Sequence, residues 1–558
     1  MHKTSQSILS SFMAIPRYLS LKYILSSNAF IIILLNASFI TPASSQLGLL
    51  ETSLEPTMPS GYYKQRLTQS SLVNKLRLVE AFKEKSMEKG ISKSLSLEEC
   101  INLAFQYNPE VQGQIALLEA KRNTLRAAYR SWNPTISVDS ASSTISNNGT
   151  YEGNRSQTFD ADQFNFAPIT RSYESRDSQS LNNQFSGNIQ WTFLDFSRQP
   201  NINSELAGYS AQRFGFYSVS RDIVNQIQVS YYSLLAQRDL IHSFEVMVEA
   251  LKDNAEAIDS KFAAGRANLQ DVGQSYAQFY NTLSQLTRYI EDYYATSAKL
   301  AELVSLPEDT LIIASDPNQF KGKWNLNREQ SISSVRLNND RVLQALQLSK
   351  RSKWSGTSLL NKTLPQLYLS SRASYNTTNT TLSSTTSTRQ YNSSQANARA
   401  YSQNLRITNR SAYDINAMVG FRWFFYQGGV NRANAAAQFS QSQYQVFEAD
   451  RLKQSFTANV LSNINSLEAN KLQYTSSNAA AESSQISYIA AMARLKAGLT
   501  DVTAINQVVQ LYQTAIQAKA RSIQNYNVAL ANLHRDTAIW PREAQGLASR
   551  LLKATGLE

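Results

Sequence analysis

Few residues of this chain carry groups suited to chemistry, and they stand far apart. The only histidines are His2, His242 and His534, and Cys100 is the only cysteine in 558 residues. A catalytic or structural metal needs three or four convergent nitrogen, sulfur or oxygen donors, and no His/Cys grouping supplies them. One cysteine also excludes an intramolecular disulfide. No nucleophile elbow and no phosphate-cradling glycine loop occur. The expectation is a protein that is not an enzyme and needs no cofactor. The formal charge of +12 would admit nucleic acid as a partner. The basic residues, however, are interspersed with acids along helical stretches, as on solvated helix faces, and no recognition motif accompanies them.

The information therefore lies in the elements. Only 19 glycines and 12 prolines interrupt the chain, which favours long uninterrupted segments. At the start, Lys3, Arg17 and Lys22 precede an apolar run from Ala29 to Ile40, and Ala43, Ser44 and Ser45 follow it. This is the layout of a secretory signal peptide, residues 1–45, with Met13 as an alternative start. The run is shorter than the roughly twenty residues that span a bilayer as a helix, although an uncleaved anchor is the alternative. No cysteine follows to take a lipid. No other stretch is apolar enough for a membrane helix, so any membrane passage must be a β-barrel. Residues 46–93 read as a polar extension with a helix near Val73–Glu88.

From Ser94 the pattern becomes orderly and then repeats, giving units at 94–324 and 325–540 and a C-terminal tail at 541–558. Ser96 and Glu99 form a capping box that starts a helix. Asn108-Pro109-Glu110-Val111 restarts it, the helix runs to Ser131, and Pro134 ends it before a strand at Thr135–Asp139. Asn339–Val342 repeats Asn108–Val111, Pro365 repeats Pro134, and Phe424 repeats Phe193, each 231 residues later. A constant offset marks a true internal repeat.

Each half carries one clear strand. Phe185, Gly187, Ile189, Trp191 and Phe193 alternate with polar residues, as do Tyr413, Ile415, Ala417, Val419, Phe421 and Trp423. About ten residues is the length of a tilted transmembrane strand. A soluble sandwich would show the same alternation. The stretches 143–183 and 376–410, rich in Ser, Thr, Asn and Gln, are expected to be long loops on one side of a membrane barrel.

The helices narrow the choice. Ile241, Phe244, Val248, Leu251, Ala255, Ile258 and Phe262 step by three and four, a heptad seam. Gly265 can end that helix in the left-handed conformation. The chain returns through Leu269, Val272, Tyr276, Phe279, Leu283, Leu286 and Ile290 in the same rhythm, with Ser297 as one polar step. The second half turns at Ala497-Gly498 and returns through Val502, Ile505 and Val509, with Lys519 as its exception. A descending helix of about 64 residues spans roughly 96 Å, and the two shorter helices, roughly 54 and 51 Å, match it when stacked end to end.

In these features the chain resembles the TolC outer-membrane efflux family over about residues 94–540. The resemblance implies a mixed, mainly α fold: a trimeric duct with a long coiled-coil helical barrel and a 12-stranded β-barrel, four strands per protomer. It implies a homotrimer in the outer membrane of a bacterium with two membranes. The partners implied are outer-membrane lipid, a periplasmic adaptor and an inner-membrane pump of the ABC, RND or a similar class, serving small-molecule efflux or type I protein secretion. Adaptor contact would fall on the tips, Ala264, Gly265, Arg266, Ala497, Gly498 and Leu499. Family members often carry an acidic ring past the second tip, but those positions here hold Ala504 and Gln507. Asp501 is the nearest acid, and Asp271 is expected at the corresponding depth in the first half, so these four are the candidate entrance-lining residues. The competing reading is a coiled-coil surface protein that conducts nothing.

Overall fold

The computed structural model describes residues 92–152, 159–160, 165–166, 169–307, 310–391, 398–497, 499–554 and 556–557, with the side chains of 151–172, 388–401, 496 and 554 excluded. All lie within one unit, Val73–Glu558. The signal peptide, the extension up to residue 91 with its helix near Val73–Glu88, and Gly498 lie outside the described residues.

The first repeat opens with β1 (Ser92–Leu95) and α1 (Leu97–Tyr107), whose Ser96–Glu99 capping box forms as expected. Asn108 has an extended ψ of 123° and caps α2 (Pro109–Arg130), where Pro109 occupies the first helical position. Strands β2 (Thr135–Glu152) and β5 (Ile169–Leu194) follow, with two-residue strands β3 (Phe159–Asp160) and β4 (Asn165–Phe166) between them. Then come α3 (Arg198–Ala263) and α4 (Leu269–Val304). β6 (Leu311–Ala314) closes the first repeat, and the second has α5 (Arg328–Asn338), α6 (Asp340–Asn361), β7 (Gln366–Tyr391), β8 (Ala398–Arg422), α7 (Val430–Lys496) and α8 (Val502–Asp536).

Helices α3 and α7 have 66 and 67 residues and run the length of two shorter ones. In the first half, α4 and α2 stack because Asn108 Nδ2 donates to the carbonyl of Leu303 at 2.8 Å, joining the end of one helix to the start of the other. The expected 51 Å helix is two pieces, and only the 22 residues of α2, about 33 Å, join the stack. The return seam is buried from Val272 through Val304. Its polar step has a reason: buried Ser297 accepts the backbone N–H of Ile312 at 2.7 Å, locking β6 onto α4.

β1 and β6 form a two-stranded parallel sheet, with Ser92 opposite Leu311 and Leu95 opposite Ala314. Tyr231, fully buried on α3, donates its hydroxyl to the carbonyl of Leu95 at 3.0 Å. Arg238 donates to the carbonyls of Ala314 and Asp316 at 2.6 and 3.0 Å. Cys100 sits fully buried in this core, and burial pushes its thiol up to about 12, the signature of a packing residue and not a nucleophile.

Two expectations fail. The polar stretches 143–183 and 376–410 are largely strand: β2 continues to Glu152, β5 begins at Ile169, β7 reaches Tyr391 and β8 begins at Ala398. A ladder needs only backbone partners, and a strand with water on both faces has no apolar alternation to reveal it. The segment 541–558 is no tail. Arg542–Ala544 form a 3₁₀ turn and α9 (Leu547–Ala554) follows, with Ala544, Ala548, Leu552 and Leu557 buried in the core around Cys100 and Phe105.

Candidate functional site: the hairpin tips and the polar face of the sheet

At the first tip α3 ends at Ala263, and Gly265 takes φ +71°. Arg266 N–H donates to the carbonyl of Lys261 at 2.8 Å, the long backbone bond of a glycine-ended helix. At the second tip Leu499 N–H donates to the carbonyl of Arg494 at 2.9 Å, 233 residues on in both donor and acceptor. Ala264, Gly265, Arg266, Ala497 and Leu499 are exposed. The two tips are side by side, because Lys261 Nζ donates to the carbonyl of Leu495 at 3.0 Å.

The candidate acids have local roles. Asn268 Oδ1 accepts the N–H of Asp271 at 2.7 Å, and Asp271 Oδ2 accepts the N–H of Asn268 at 3.4 Å, a reciprocal cap on α4. Asp501 Oδ1 accepts the N–H of Ala504 at 2.9 Å at the start of α8. By the 233-residue offset Asp501 therefore answers Asn268, and Asp271 answers Ala504. The expected equivalence of Asp271 and Asp501 is off by one turn, because the offset grows from 231 to 233 along the hairpin. Gln507 is exposed and Ala504 half-buried. A carboxylate at a helix start is stabilised by the unpaired N–H groups and the helix dipole, which accounts for these acids without a ligand.

The second feature is the four-stranded antiparallel sheet, in the order β2-β5-β7-β8. Its register aligns one apolar face across all four strands. Ile136 lies opposite Ile189, Trp191 opposite Leu369, and Leu369 opposite Val419. Phe185, Tyr375 and Tyr413 make one aromatic row across three strands. At the other margin the indole N–H groups of Trp191 and Trp423 donate to the carbonyls of Trp132 and Thr363 at 2.8 and 3.0 Å. Aromatic rows at both margins of an apolar band are the arrangement of a transmembrane barrel at its two interfaces. The opposite face is polar: Asp139, Asn188, Arg372, Asn416 and Arg422 lie on it. There Tyr368 lies across Gly420, and the Arg422 guanidinium stands 5.2 Å from the Tyr368 ring centre.

The alternation in sequence already sets Asn188, Asn416 and Arg422 on a polar face suited to a water-filled lumen, whereas Asp139 and Arg372 were not singled out. The alternation at 413–423 places Asp414 and Arg422 on one face, but which partners they meet depends on register across strands distant in sequence. Among the described residues no group of His, Cys, Asp and Glu is placed to hold a metal ion, and no helix is long and apolar enough to cross a membrane.

The comparisons agree with this geometry. Residues 100–305 match the outer membrane efflux protein family. No curated protein matches the sequence. Among solved structures, the Campylobacter jejuni CmeC outer membrane channel is similar with a TM-score of 0.62 at 11% identity, over 83% of this chain and 89% of that one. The Vibrio cholerae outer membrane protein VceC has a TM-score of 0.56 at 13% identity, over 79% of this chain and 95% of its own. The Neisseria gonorrhoeae MtrE outer membrane channel, in its open state, has a TM-score of 0.56 at 14% identity, over 79% and 88%. At such identities the likeness is one of fold. Residues 100–305 thus carry the signature of the outer membrane efflux protein family, and about four-fifths of the chain shares the fold of these outer membrane channels.

Proposed function

We propose that three copies of this chain close into a conduit that carries solutes from an inner-membrane pump through the periplasm and the outer membrane. The observation that carries this reading is the apolar band held in register across β2, β5, β7 and β8 between two aromatic margins. Four strands cannot close a barrel, and β2 and β8 each keep one unpaired edge within the chain. Three copies give twelve strands and leave no edge. The helices support the same reading. α2 and α4 flank α3 on one side, while α7 on the far side exposes Phe447, Leu472 and Ile486. Those side chains suit the α2 and α4 of a neighbouring copy. In this reading the protein is not an enzyme; the pump supplies the energy, and the exposed tips with Leu499 and Ala264 take the periplasmic adaptor. Asp271, Asp501, Ala504 and Gln507 stand near the entrance.

Purified protein in a planar bilayer tests the conduit. Trimer-dependent conductance is expected, and a trimer that inserts but passes no current would overturn the reading in favour of a coiled-coil spacer. Cysteines placed at Ala264 and Leu499 should cross-link to the adaptor in cells.

A further inference from the structure

The sheet register sorts the charged side chains onto one face. Outward positions, which include Trp191, Leu369 and Val419, carry a single charged residue among the described side chains, Asp177. The opposite face carries Arg176, Arg372, Arg406, Arg410 and Arg422. Among the described side chains three carboxylates, Asp139, Glu174 and Asp414, stand against these five, an excess of two positive charges on that face.

The excess is not neutralised locally. Arg176 pairs with Glu174 at 2.7 Å, and Asp139 Oδ2 accepts from Asn188 Nδ2 at 2.5 Å. Among the described residues no carboxylate forms a salt bridge with Arg372, Arg406 or Arg410. Arg372 Nε is enclosed without a hydrogen-bond partner. The arginines are also spread in depth. Arg422 lies at the helical end of the sheet, and Arg372 lies opposite Asn416 within the apolar band. Arg410 and Arg406 lie beyond the row of Tyr413 and Tyr375, in the polar continuation of the strands. Along β8 the sixteen steps from Arg422 to Arg406 cover about 54 Å at roughly 3.4 Å per residue.

We propose that these arginines make the lumen of the closed β-barrel anion-preferring along its length, with Arg372, Arg406 and Arg410 as the selectivity-determining residues. The inference rests on the conduit reading above. Like charges along a low-dielectric wall focus the potential and raise the local concentration of counter-ions, and rings of arginine favour anions over cations in pores. The chemical class favoured is the small anion, with chloride as the probe.

The test is a reversal potential across a planar bilayer under a potassium chloride gradient, comparing the native protein with an Arg406→Gln/Arg410→Gln variant. Both positions are solvent-exposed, and the hairpin tips are unchanged in both proteins, so a difference reports the barrel. The native channel should reverse toward the chloride equilibrium potential. The variant should keep its conductance while its chloride-to-potassium permeability ratio falls roughly twofold or more. A native channel that prefers potassium, or a ratio unmoved in the variant, overturns the proposal and leaves the conduit intact. A trimer that never conducts overturns the conduit reading, and this proposal with it.

Discussion

Asn339 donates from Nδ2 to the carbonyl of Asp536 at 2.8 Å, across 197 residues of sequence. Its Oδ1 accepts the N–H groups of Arg341 and Val342 at 3.1 and 3.2 Å. Asn108 makes the same set, to Leu303 and to Glu110 and Val111. One side chain thus starts the upper helix and fastens it to the end of the lower one. Asn339→Ala loses both functions and should cost about 1–3 kcal/mol in thermal or urea unfolding. Asn339→Asp keeps the cap without the donor and should fall between. Equal losses for the two variants would show that the cap contributes nothing.

Arg221 and Asp340 meet at 2.6 Å, both nearly buried, where α3 of the first repeat touches α6 of the second. The Arg221 guanidinium also lies 4.0 Å from the Trp540 ring centre. Burial lowers the Arg221 value and raises that of Asp340, and mutual attraction only partly offsets it. Arg221→Met alone strands a buried carboxylate and should cost about 3–5 kcal/mol. Adding Asp340→Asn should recover much of that loss. A four-protein unfolding comparison measures the coupling, and strict additivity would contradict it.

Much of this framework is legible in the sequence for a physical reason. Asn108-Pro109, the Ser96–Glu99 box and the return seam are local signals read over one or two turns. The pairing of Ser92–Leu95 with Leu311–Ala314, and of Arg221 with Asp340, spans distant segments and leaves no local trace. The 26-residue length of β7 is hidden because its Thr- and Ser-rich part shows no apolar alternation. Ser297, by contrast, was visible as an anomaly in its seam, and its partner Ile312 explains it. Of the tip, the glycine turn at Gly265 was legible; the capping roles of Asp271 and Asp501 emerge only once the helix starts are placed.

His534 gives a pH dependence. Burial, with the Arg221 charge as a lesser cause, holds its imidazole below the ordinary value of 6.5, beside the Trp324 ring at 5.3 Å. Its folded value lies below its unfolded one, so its contribution to stability is whole above about 6.5 and is lost as pH falls through the lowered folded value. Asp340 and Asp536 run the other way. Their raised values favour the folded chain below the ordinary carboxylate range, and that contribution is lost as pH rises through the raised values. The histidine is isolated by comparison with His534→Phe. The native chain should lose ground to the variant between pH 8 and pH 5, and a difference in melting temperature that stays constant over that range would refute the assignment.

Gly420 is needed for Tyr368 to lie flat on the polar face. A Cβ there would stand 2.6 Å from the Tyr368 hydroxyl and overlap the ring. Gly420→Ala should turn the ring away and release Arg422, lowering the stability of the barrel by about 1–3 kcal/mol in a heat-dissociation assay on gels. Tyr368→Ala in the same chain should cancel part of that loss. If the double variant is worse than the sum of the singles, the ring does not depend on the glycine.

The burial of Leu552 and Leu557 beside Leu95 and Cys100 imposes an order of events. The Tyr209 hydroxyl on α3 donates to the Leu557 carbonyl at 2.6 Å. The first repeat cannot finish its core from its own residues, because part of that core lies beyond the second repeat. Its apolar faces stay uncovered until the segment after α8 docks, so the fold closes on a contact that joins its two extremes in sequence and comes late among its folding events.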